Sequence, residues 1–202
     1  MKVAITGASG FLGSHCVATA INKGFSVRVL VRDIGKTENA LEMHKIKRDL
    51  VEIVQADLTD SNSLDEGLEG VDSLLHTAAV FSLSPLDAKS MIAINPSSTK
   101  VLLSAAVKHD LKQTVYVSTM GVFAPITGGD IDENTPTSTG LGPYTKSKIE
   151  SEKIAREFQN DGAPVNIVYP GGIFGPTDPN PNLSDSMGML TEILKRNIGL
   201  TA

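Results

Sequence analysis

The chain has 202 residues, a formal net charge of −5 and 41% hydrophobic residues. This length suits one domain with a sizeable core, and the acidic balance offers no basic field for nucleic acid or an anionic membrane. No apolar run is long enough to cross a bilayer. The one cysteine, Cys16, allows no internal disulfide, which fits a reducing, cytoplasmic location. The four histidines show no metal-ligand spacing, so no metal site is expected.

The N-terminal segment predicts a strand, a glycine-rich turn and a helix. The strand is expected over residues 3–5 and the helix over residues 11–23. Gly7 permits a tight turn, Gly10 lets the backbone approach a pyrophosphate, and Gly13 lets the helix pack on the strand. The free N–H groups and the dipole of the first helical turn favour phosphate. A dinucleotide site is therefore expected, with phosphate-binding residues Gly7, Ser9, Gly10, Phe11, Leu12 and Gly13.

The rest of the chain alternates strands with helices. Strands are predicted over residues 26–31, 51–54, 71–75, 114–117 and 165–168. Helices are predicted over residues 36–50, 61–68, 87–109, 143–160 and 186–196. Pro96 removes a backbone donor, so a kink or break is expected there, and residues 124–142 are expected to form a surface excursion. The alternation predicts an α/β fold, a Rossmann-type doubly wound parallel sheet of order 3-2-1-4-5-6 with ligand at the strand carboxyl ends.

The end of the second strand bears on cofactor choice. A site selective for NAD usually has a carboxylate here to bind the ribose 2′-OH, but this chain has Val31 followed by Arg32. A guanidinium suits a 2′-phosphate, so Arg32 favours NADP. NAD is the alternative, if Arg32 is a solvated charge and Asp33 reaches the ribose instead. Asp57, after the third strand, either faces the adenine or is a turn residue.

Tyr144 and Lys148 lie four residues apart in one predicted helix and so share a face. A nearby ammonium stabilises a phenolate and lowers the pKa of the phenol, so Tyr144 can pass a proton to a carbonyl oxygen during hydride transfer. Thr119, at the end of the fifth strand, can hold the same oxygen. The pair alone is more typical of an ordinary exposed helix face. A catalytic role for Tyr144 and Lys148 is nevertheless favoured, because a hydroxyl pair ends the fifth strand and a dinucleotide turn starts the chain.

Four motifs together resemble the extended short-chain dehydrogenase/reductase family, within the NAD-dependent epimerase/dehydratase superfamily. They are residues 6–13, Ser118-Thr119, Tyr144-x-x-x-Lys148 and residues 170–176, while residues 27–33 and 76–79 are similar to the dihydroflavonol-reductase-like branch. The resemblance implies that Tyr144 is the acid/base, Lys148 its helper, and Thr119 the residue that holds the substrate oxygen. Ser118 is a near rival for that last role. Asn95 is implied to order a water in the proton relay.

The resemblance also implies the contacts of the cofactor. Besides the glycine-rich turn and Arg32, the implied residues are Asp57, Leu58, Ala78, Ala79, Ser118, Tyr144, Lys148, Pro170 and Ile173. The small residues before position 80 leave room for a flat ligand, although simple tight packing is the alternative. Relatives often dimerise through the helices predicted at residues 87–109 and 143–160, which makes a homodimer one option and solvated helix faces the other.

This chain departs from the family pattern in three respects. Thr119 stands where serine is commoner, although the hydroxyl is kept. The family commonly has a β-branched residue and a glycine where Pro96 and Ser98 stand. Family members also continue into a C-terminal substrate region that the 202 residues do not include. The expected organisation is therefore a single NAD(P)-binding domain over residues 1–202, with the substrate-binding region truncated.

The leading prediction is an NAD(P)-dependent oxidoreductase, with NADPH favoured, that reduces a carbonyl or oxidises a secondary alcohol on a small-molecule substrate. A nucleotide-sugar epimerase with tightly held NAD would use the same Tyr144 and Lys148. A sugar dehydratase is disfavoured, because such enzymes carry an Asp-Glu pair where this chain has Met120 and Gly121. A non-catalytic NAD(P)-binding module is the third hypothesis.

Overall fold

The structure, a computed structural model, describes residues 1–82, 84–126, 128–180 and 185–195. The strands are β1 Lys2–Thr6, β2 Ser26–Val31, β3 Val51–Gln55, β4 Ser73–His76, β5 Gln113–Val117 and β6 Val165–Val168. The helices are α1 Phe11–Asn22, α2 Ile34–Met43, α3 Ser61–Leu68, α4 Ala88–Lys108, α5 Pro143–Asn160 and α6 Asp185–Leu194. Short 3-10 turns lie at Arg48–Leu50, Pro85–Asp87 and Met120–Phe123. The predicted bounds of β2, α3, α5 and β6 are confirmed; Arg196, the predicted end of the last helix, lies outside the described residues.

The described strands form one parallel sheet in the order β3-β2-β1-β4-β5-β6, which confirms the predicted topology. In the centre, Thr6 of β1 lies opposite Leu30 of β2 and His76 of β4. Farther along, Val117 of β5 lies opposite Val168 of β6. All carboxyl ends therefore meet at one edge. The direction of strand order changes between β1 and β4, which is where sheets of this kind bind ligands.

Each face of the sheet has its own apolar cluster. Ile5, Val29 and Leu41 belong to the cluster under α1 and α2. Leu30 and Leu102 belong to the cluster under α3 and α4. Neighbours such as Val29 and Leu30 point to opposite faces because side chains alternate along a strand. None of the helices in the described ranges is long and apolar enough to cross a membrane.

Helix α2 is shorter than predicted, because it ends at Met43 and not at Leu50. Lys45 takes a left-handed conformation with φ of 58°. The Ile46 N–H then donates to the Leu41 carbonyl at 3.0 Å, and the Lys45 N–H donates to the Glu42 carbonyl at 2.8 Å. These two bonds form the Schellman motif that ends helices. Ile46 packs on the cluster that contains Leu41, so tertiary burial decides this end where helical spacing predicted continuation.

Helix α4 continues through Pro96, so the predicted break does not occur, while the alternative, a kink, stays a prediction. A proline inside a helix costs about 3 kcal/mol. Buried residues on both sides offset that cost, including Met91 before Pro96 and Leu102 and Leu103 after it, because each such side chain contributes about 1.5–3 kcal/mol. The Asn95 carbonyl beside the proline accepts bonds from the hydroxyls of Ser98 and Thr99. Packing across the whole helix therefore outweighs a local breaker.

Candidate active site

The turn after β1 has the geometry of a phosphate cradle. Gly7 has φ of +75°, and a Cβ there would lie 2.7 Å from the Thr77 hydroxyl. A Cβ on Gly13 would lie 2.0 Å from the Gly7 carbonyl oxygen, so no side chain fits at either position. A Cβ on Gly10 would lie 3.3 Å from that oxygen and meet little else. Gly10 caps α1 without a side-chain hydrogen bond, which leaves the first-turn amides to a ligand.

A cleft of about 280 Å³ opens beside this turn at the carboxyl ends of the strands. Its lining brings together many of the predicted cofactor residues: Gly7, Ser9, Gly10, Arg32, Leu58, Ala78 and Ala79. The cradle therefore fits the diphosphate of a dinucleotide, and the cleft fits its adenosine half. Leu12, also predicted to bind the cofactor, lines another cavity and not this cleft. Its backbone amide is therefore the group that can donate to a phosphate.

The carboxylates of Asp33 and Asp57, near the cleft, already accept hydrogen bonds from neighbouring residues. Asp33 Oδ1 accepts the Lys36 N–H at 2.9 Å and so caps α2, while Asp33 Oδ2 lies 3.9 Å from Lys36 Nζ. Asp57 Oδ1 accepts the N–H and the hydroxyl of Thr59, at 2.8 and 2.7 Å. These bonds hold the pKa of Asp57 below its usual value. Asp33 therefore caps α2 and Asp57 closes a turn, while the implied contact of Asp57 with the adenine stays a prediction.

Lys148 is almost completely buried under the carboxyl ends of β4 and β5. Its Nζ donates to the Val117 carbonyl at 2.8 Å and lies 4.4 Å from the centre of the Tyr116 ring. Burial lowers the pKa of Lys148 to about 7, against the opposing effect of the Glu152 charge. Lys148 follows Tyr144 by one turn of α5, so the two residues lie on the same side of the helix.

Tyr144 lies in the first turn of α5, directly after Pro143. Proline at this position starts a helix without losing a hydrogen bond. The Tyr144 ring packs edge-on against Phe81, with 4.5 Å between ring centres. Phe81 was not found from the sequence, since an isolated aromatic residue in a loop gives no periodic signal.

The two hydroxyl residues after β5 differ in environment. Ser118 is buried, and its Oγ donates to Glu152 Oε2 at 2.6 Å. Thr119 is half-buried, and its Oγ1 accepts the Gly121 N–H at 3.2 Å, which starts the turn Met120–Phe123. A threonine hydroxyl that accepts a bond still has its proton to donate. Thr119 is therefore the better placed of the two to hold a substrate oxygen.

Asn95 lies on α4, and its amide is bonded within the protein. Nδ2 donates to the Val80 carbonyl and to Ser147 Oγ, both at 2.9 Å, and Oδ1 accepts the Val80 N–H at 2.7 Å. Both amide protons are used, so the side chain fastens the segment after β4 to α4 and α5. The predicted role in ordering a water stays a prediction.

The segment after β6 returns to the same edge of the sheet. The Pro170 carbonyl accepts the Met120 N–H at 2.9 Å, and the Pro176 carbonyl is bonded to His15 Nε2 at 2.7 Å. Ile173 lies between them and is half-buried. The structure thus places Pro170 beside the turn that follows Thr119, while the implied contact of Pro170 and Ile173 with the nicotinamide stays a prediction.

Two buried polar groups were missed by the sequence analysis. His76, at the end of β4, is bonded through Nδ1 to Thr6 Oγ1 at 2.8 Å, and burial, with a smaller effect of the Lys148 charge, lowers its pKa to about 3. Glu152 is fully buried on α5. It could have been found by following the face of Tyr144 and Lys148 for one more turn.

A larger cavity of about 520 Å³ lies away from the glycine-rich cleft, on the α1 side of β1, β4 and β5. Its lining is mostly apolar and includes Val3, Ile5, Cys16, Leu75 and Val115. Its lining includes neither the glycine-rich cradle nor Arg32 and Lys36, so its size does not make it the candidate active site.

The sheet order, the glycine-rich cradle and the cleft together define a Rossmann-type dinucleotide-binding protein. The chain belongs to the NAD-dependent epimerase/dehydratase family, whose model matches residues 3–198. The resemblance to extended short-chain dehydrogenases/reductases and to dihydroflavonol reductases is thereby confirmed. A dihydroflavonol 4-reductase from Callistephus chinensis is 30% identical over 209 residues, which cover 93% of this chain and 57% of that protein.

Solved structures agree with this assignment. A dTDP-glucose 4,6-dehydratase double mutant from Streptomyces venezuelae, with NAD and DAU bound, matches with a TM-score of 0.80 and 26% identity, over 97% of this chain and 63% of that one. A UDP-glucose 4-epimerase from Bifidobacterium longum, with NAD+ and UDP, matches with a TM-score of 0.71 and 25% identity, over 84% and 52%. The chain spans about half the length of the first relatives it matches.

Proposed function

We propose that the protein is an NADP-dependent oxidoreductase that reduces a carbonyl, or oxidises a secondary alcohol, on a small-molecule substrate. The observation that carries the proposal is the burial of the Lys148 ammonium one helical turn from Tyr144. That position is at the same edge of the sheet as the glycine-rich cradle. A buried lysine there is a feature that a solvated helix face would not have.

The proposed chemistry uses three side chains around one oxygen atom. The nicotinamide, when bound, supplies or accepts the hydride. Tyr144 gives its proton to the substrate oxygen, and the Lys148 ammonium stabilises the phenolate that remains. Thr119 donates a hydrogen bond to the same oxygen and holds it near the phenol.

Two cations beside the cleft support a preference for NADP. Arg32 and Lys36 both line it, and both are exposed enough to meet a 2′-phosphate. Asp33, the rival that would bind a ribose hydroxyl, already accepts the Lys36 N–H as the cap of α2. A phosphate beside a fork-shaped guanidinium is stabilised by charge-assisted hydrogen bonds, which an uncharged hydroxyl does not match.

Phe81 supports a substrate with an apolar flank next to its reacting carbon. Its ring packs edge-on against Tyr144, and 41% of the residue is still exposed to solvent. Apolar surface that stays open beside a proton donor can bind an apolar group.

A nucleotide-sugar epimerase is the second candidate, since the neighbours reported above were solved with NAD bound. Such an enzyme keeps its NAD through the cycle and makes no net use of it. The same Tyr144 and Lys148 would act in both reactions. The two candidates therefore differ in how tightly the cofactor is bound and in whether it is consumed.

The test begins with protein purified without added nucleotide and analysed by mass spectrometry. We expect no retained NAD, tighter calorimetric binding of NADPH than of NADH, and consumption of NADPH with a panel of apolar ketones. Retained NAD without net oxidation of NADPH would contradict the proposal and favour the epimerase. NADPH binding without turnover of any panel member would favour the non-catalytic module.

A further inference from the structure

The face of α5 that carries Tyr144 and Lys148 continues into two further polar residues, Glu152 and Arg156. The spacing of four residues places all of them along one side of the helix. Glu152 has no exposed surface, although a carboxylate is rarely buried without partners. The proposed chemistry gives Glu152 no part, so its burial needs another explanation.

Each carboxylate oxygen of Glu152 is hydrogen-bonded. Oε2 accepts the Ser118 hydroxyl at 2.6 Å. Oε1 accepts the Tyr169 hydroxyl at 2.9 Å and Arg156 Nε at 3.0 Å. Arg156 also donates from Nη2 to the Tyr169 hydroxyl at 2.8 Å and from Nη1 to the Glu133 carbonyl at 3.1 Å. Hydrogen bonds to an ionised acceptor are the strong ones, so this arrangement is rigid.

The partners of Glu152 come from the ends of two different strands. Ser118 directly precedes Thr119 after β5, and Tyr169 directly precedes Pro170 after β6. The two segments are also joined by the bond from the Met120 N–H to the Pro170 carbonyl, at 2.9 Å. One carboxylate on α5 therefore holds both segments against the helix that carries Tyr144.

We propose that Glu152 is a positioning residue for the reaction, whose carboxylate aligns the strand ends bearing Thr119 and Pro170 with Tyr144 and keeps a negative charge next to Lys148. This inference rests on the proposed function for its catalytic meaning. The arrangement of α5 and of the segments that follow β5 and β6 is a property of the chain alone.

The charge of Glu152 acts on Lys148, which has other ionisable neighbours within the described part of the chain. Tyr116 on β5 presents its ring to Lys148, and His76 on β4 is held neutral by burial. Tyr144 is the titratable neighbour on α5 itself. The negative charge one turn away opposes the effect of burial and raises the pKa of Lys148. Arg156 and Tyr169 face the other side of the carboxylate.

The test compares Glu152→Gln with Glu150→Gln in the full chain. Glutamine has the shape of glutamate and can still bond to Ser118 and Tyr169, but it carries no charge. Glu150 is exposed on the same helix, where it pairs with Lys153, and serves as the matched control. The protonation of Lys148 is followed by NMR of labelled lysine side chains, and calorimetric NADPH binding and the pH profile of hydride transfer are measured in parallel.

We expect Glu152→Gln to move the Lys148 titration down by about one pH unit or more, with NADPH affinity changed less than about threefold. The alkaline side of the pH profile should move with it, while Glu150→Gln leaves both unchanged. A Lys148 titration that is the same in Glu152→Gln and the wild type would overturn the inference.

A second variant covers the case in which Glu152→Gln does not fold. Tyr169→Phe removes one donor to the carboxylate and keeps the ring beside Phe123, whose centre is 5.0 Å away. We expect a lower kcat with a nearly unchanged KM and NADPH affinity, and an unchanged kcat would overturn the alignment role. A wild-type protein that binds no NADPH would refute the proposed function, while the Lys148 titration would still decide the inference.

Discussion

Ser118 and Thr119 are adjacent in the chain, but their hydroxyls lie in different environments and have different hydrogen-bond partners. Ser118 donates inward to the buried carboxylate of Glu152 at 2.6 Å, while Thr119 accepts the Gly121 N–H at 3.2 Å and remains half-exposed. Alternation along an extended chain explains the difference, because successive side chains point to opposite sides. One hydroxyl is thus structural, and the other is available to a substrate.

Replacing each hydroxyl residue by alanine should separate these roles. Thr119→Ala should lower kcat by about a hundredfold, because it removes a donor to the substrate oxygen, and should change stability little. Ser118→Ala should mainly lower the free energy of unfolding, by about 1–3 kcal/mol, because it removes a partner of a buried charge. Its effect on kcat, through the alignment by Glu152, should be smaller than that of Thr119→Ala. Steady-state kinetics and urea unfolding of both variants measure this. Equal effects of the two changes on kcat would argue against Thr119 as the substrate ligand.

Arg32→Ala should weaken NADPH binding by about tenfold or more and leave NADH binding almost unchanged. The reason is that a guanidinium gives charge-assisted bonds to a 2′-phosphate that NADH lacks. Lys36→Ala should act in the same direction with a smaller effect. Calorimetry with both nucleotides gives the comparison, and Lys23→Ala, an exposed cation at the far end of α1, is the control. Equal losses of binding affinity for NADPH and NADH in Arg32→Ala would contradict the proposed preference for NADP.

Gly10→Ala and Gly13→Ala should have different consequences. Gly10 has φ of −94° and room for a methyl group, so the free energy of unfolding should change by about 1 kcal/mol or less. The methyl group would lie where the backbone must approach a diphosphate, so NADPH affinity should fall at least about tenfold. Gly13→Ala should unfold the cradle itself, since its Cβ would lie 2.0 Å from the Gly7 carbonyl. Thermal unfolding and calorimetry are the two measurements; a Gly10→Ala protein that binds NADPH normally would show that the diphosphate lies elsewhere.

Stability should decrease as the pH falls below about 6.5. Burial, with a smaller effect of the Lys148 charge, lowers the pKa of His76 from 6.5 to about 3. Between these pH values His76 is protonated in the unfolded chain and neutral in the folded protein. The free energy of unfolding should therefore fall by about 1.4 kcal/mol per pH unit between these values, and it recovers as the pH rises. Urea unfolding at pH 7, 6 and 5 measures the slope.

The control for this slope is His76→Asn, whose amide can still bond to Thr6. It should be less stable than the wild type at pH 7 but should have a flatter pH dependence from pH 6.5 to 5. His44→Asn should flatten the slope less, because His44, whose pKa is also lowered by burial, is much more accessible. The pKa of Lys148 lies above this window, and carboxyl groups with lowered pKa values, such as Asp65 and Asp72, titrate below it. A slope that His76→Asn does not alter would contradict the assignment.

The fold was predictable because its signals are local. Val27 to Val31 is an uninterrupted apolar run apart from Arg28, and such runs mark strands that are buried on both faces. The errors came from tertiary contacts. Ile46 packs back on the core and ends α2 early, and Pro96 stays helical because α4 is buried on both sides of it. Neither effect can be read from propensity alone.

The candidate site was predictable where residues share a motif or a helix face. Tyr144 and Lys148 were found by their spacing, and Gly7 and Gly13 by the turn that they form. Glu152 was missed because a glutamate on a helix ordinarily faces solvent, and its burial depends on Ser118 and Tyr169, which arrive from distant parts of the chain. His76 was missed for the same reason, since Thr6 and Tyr116 surround it only after the sheet forms.

The most direct test of the proposed reaction is single-turnover hydride transfer from NADPH to an accepted ketone, compared between the wild type and Tyr144→Phe. Lys148→Met should also slow hydride transfer, because the phenolate loses its ammonium partner, and the neighbouring exposed Lys146→Met is its matched control. Tyr144→Phe should reduce the rate by about a thousandfold or more while NADPH affinity changes less than about threefold, because one proton donor is removed and the cradle is untouched. A Tyr144→Phe protein that transfers hydride at the wild-type rate would contradict the account.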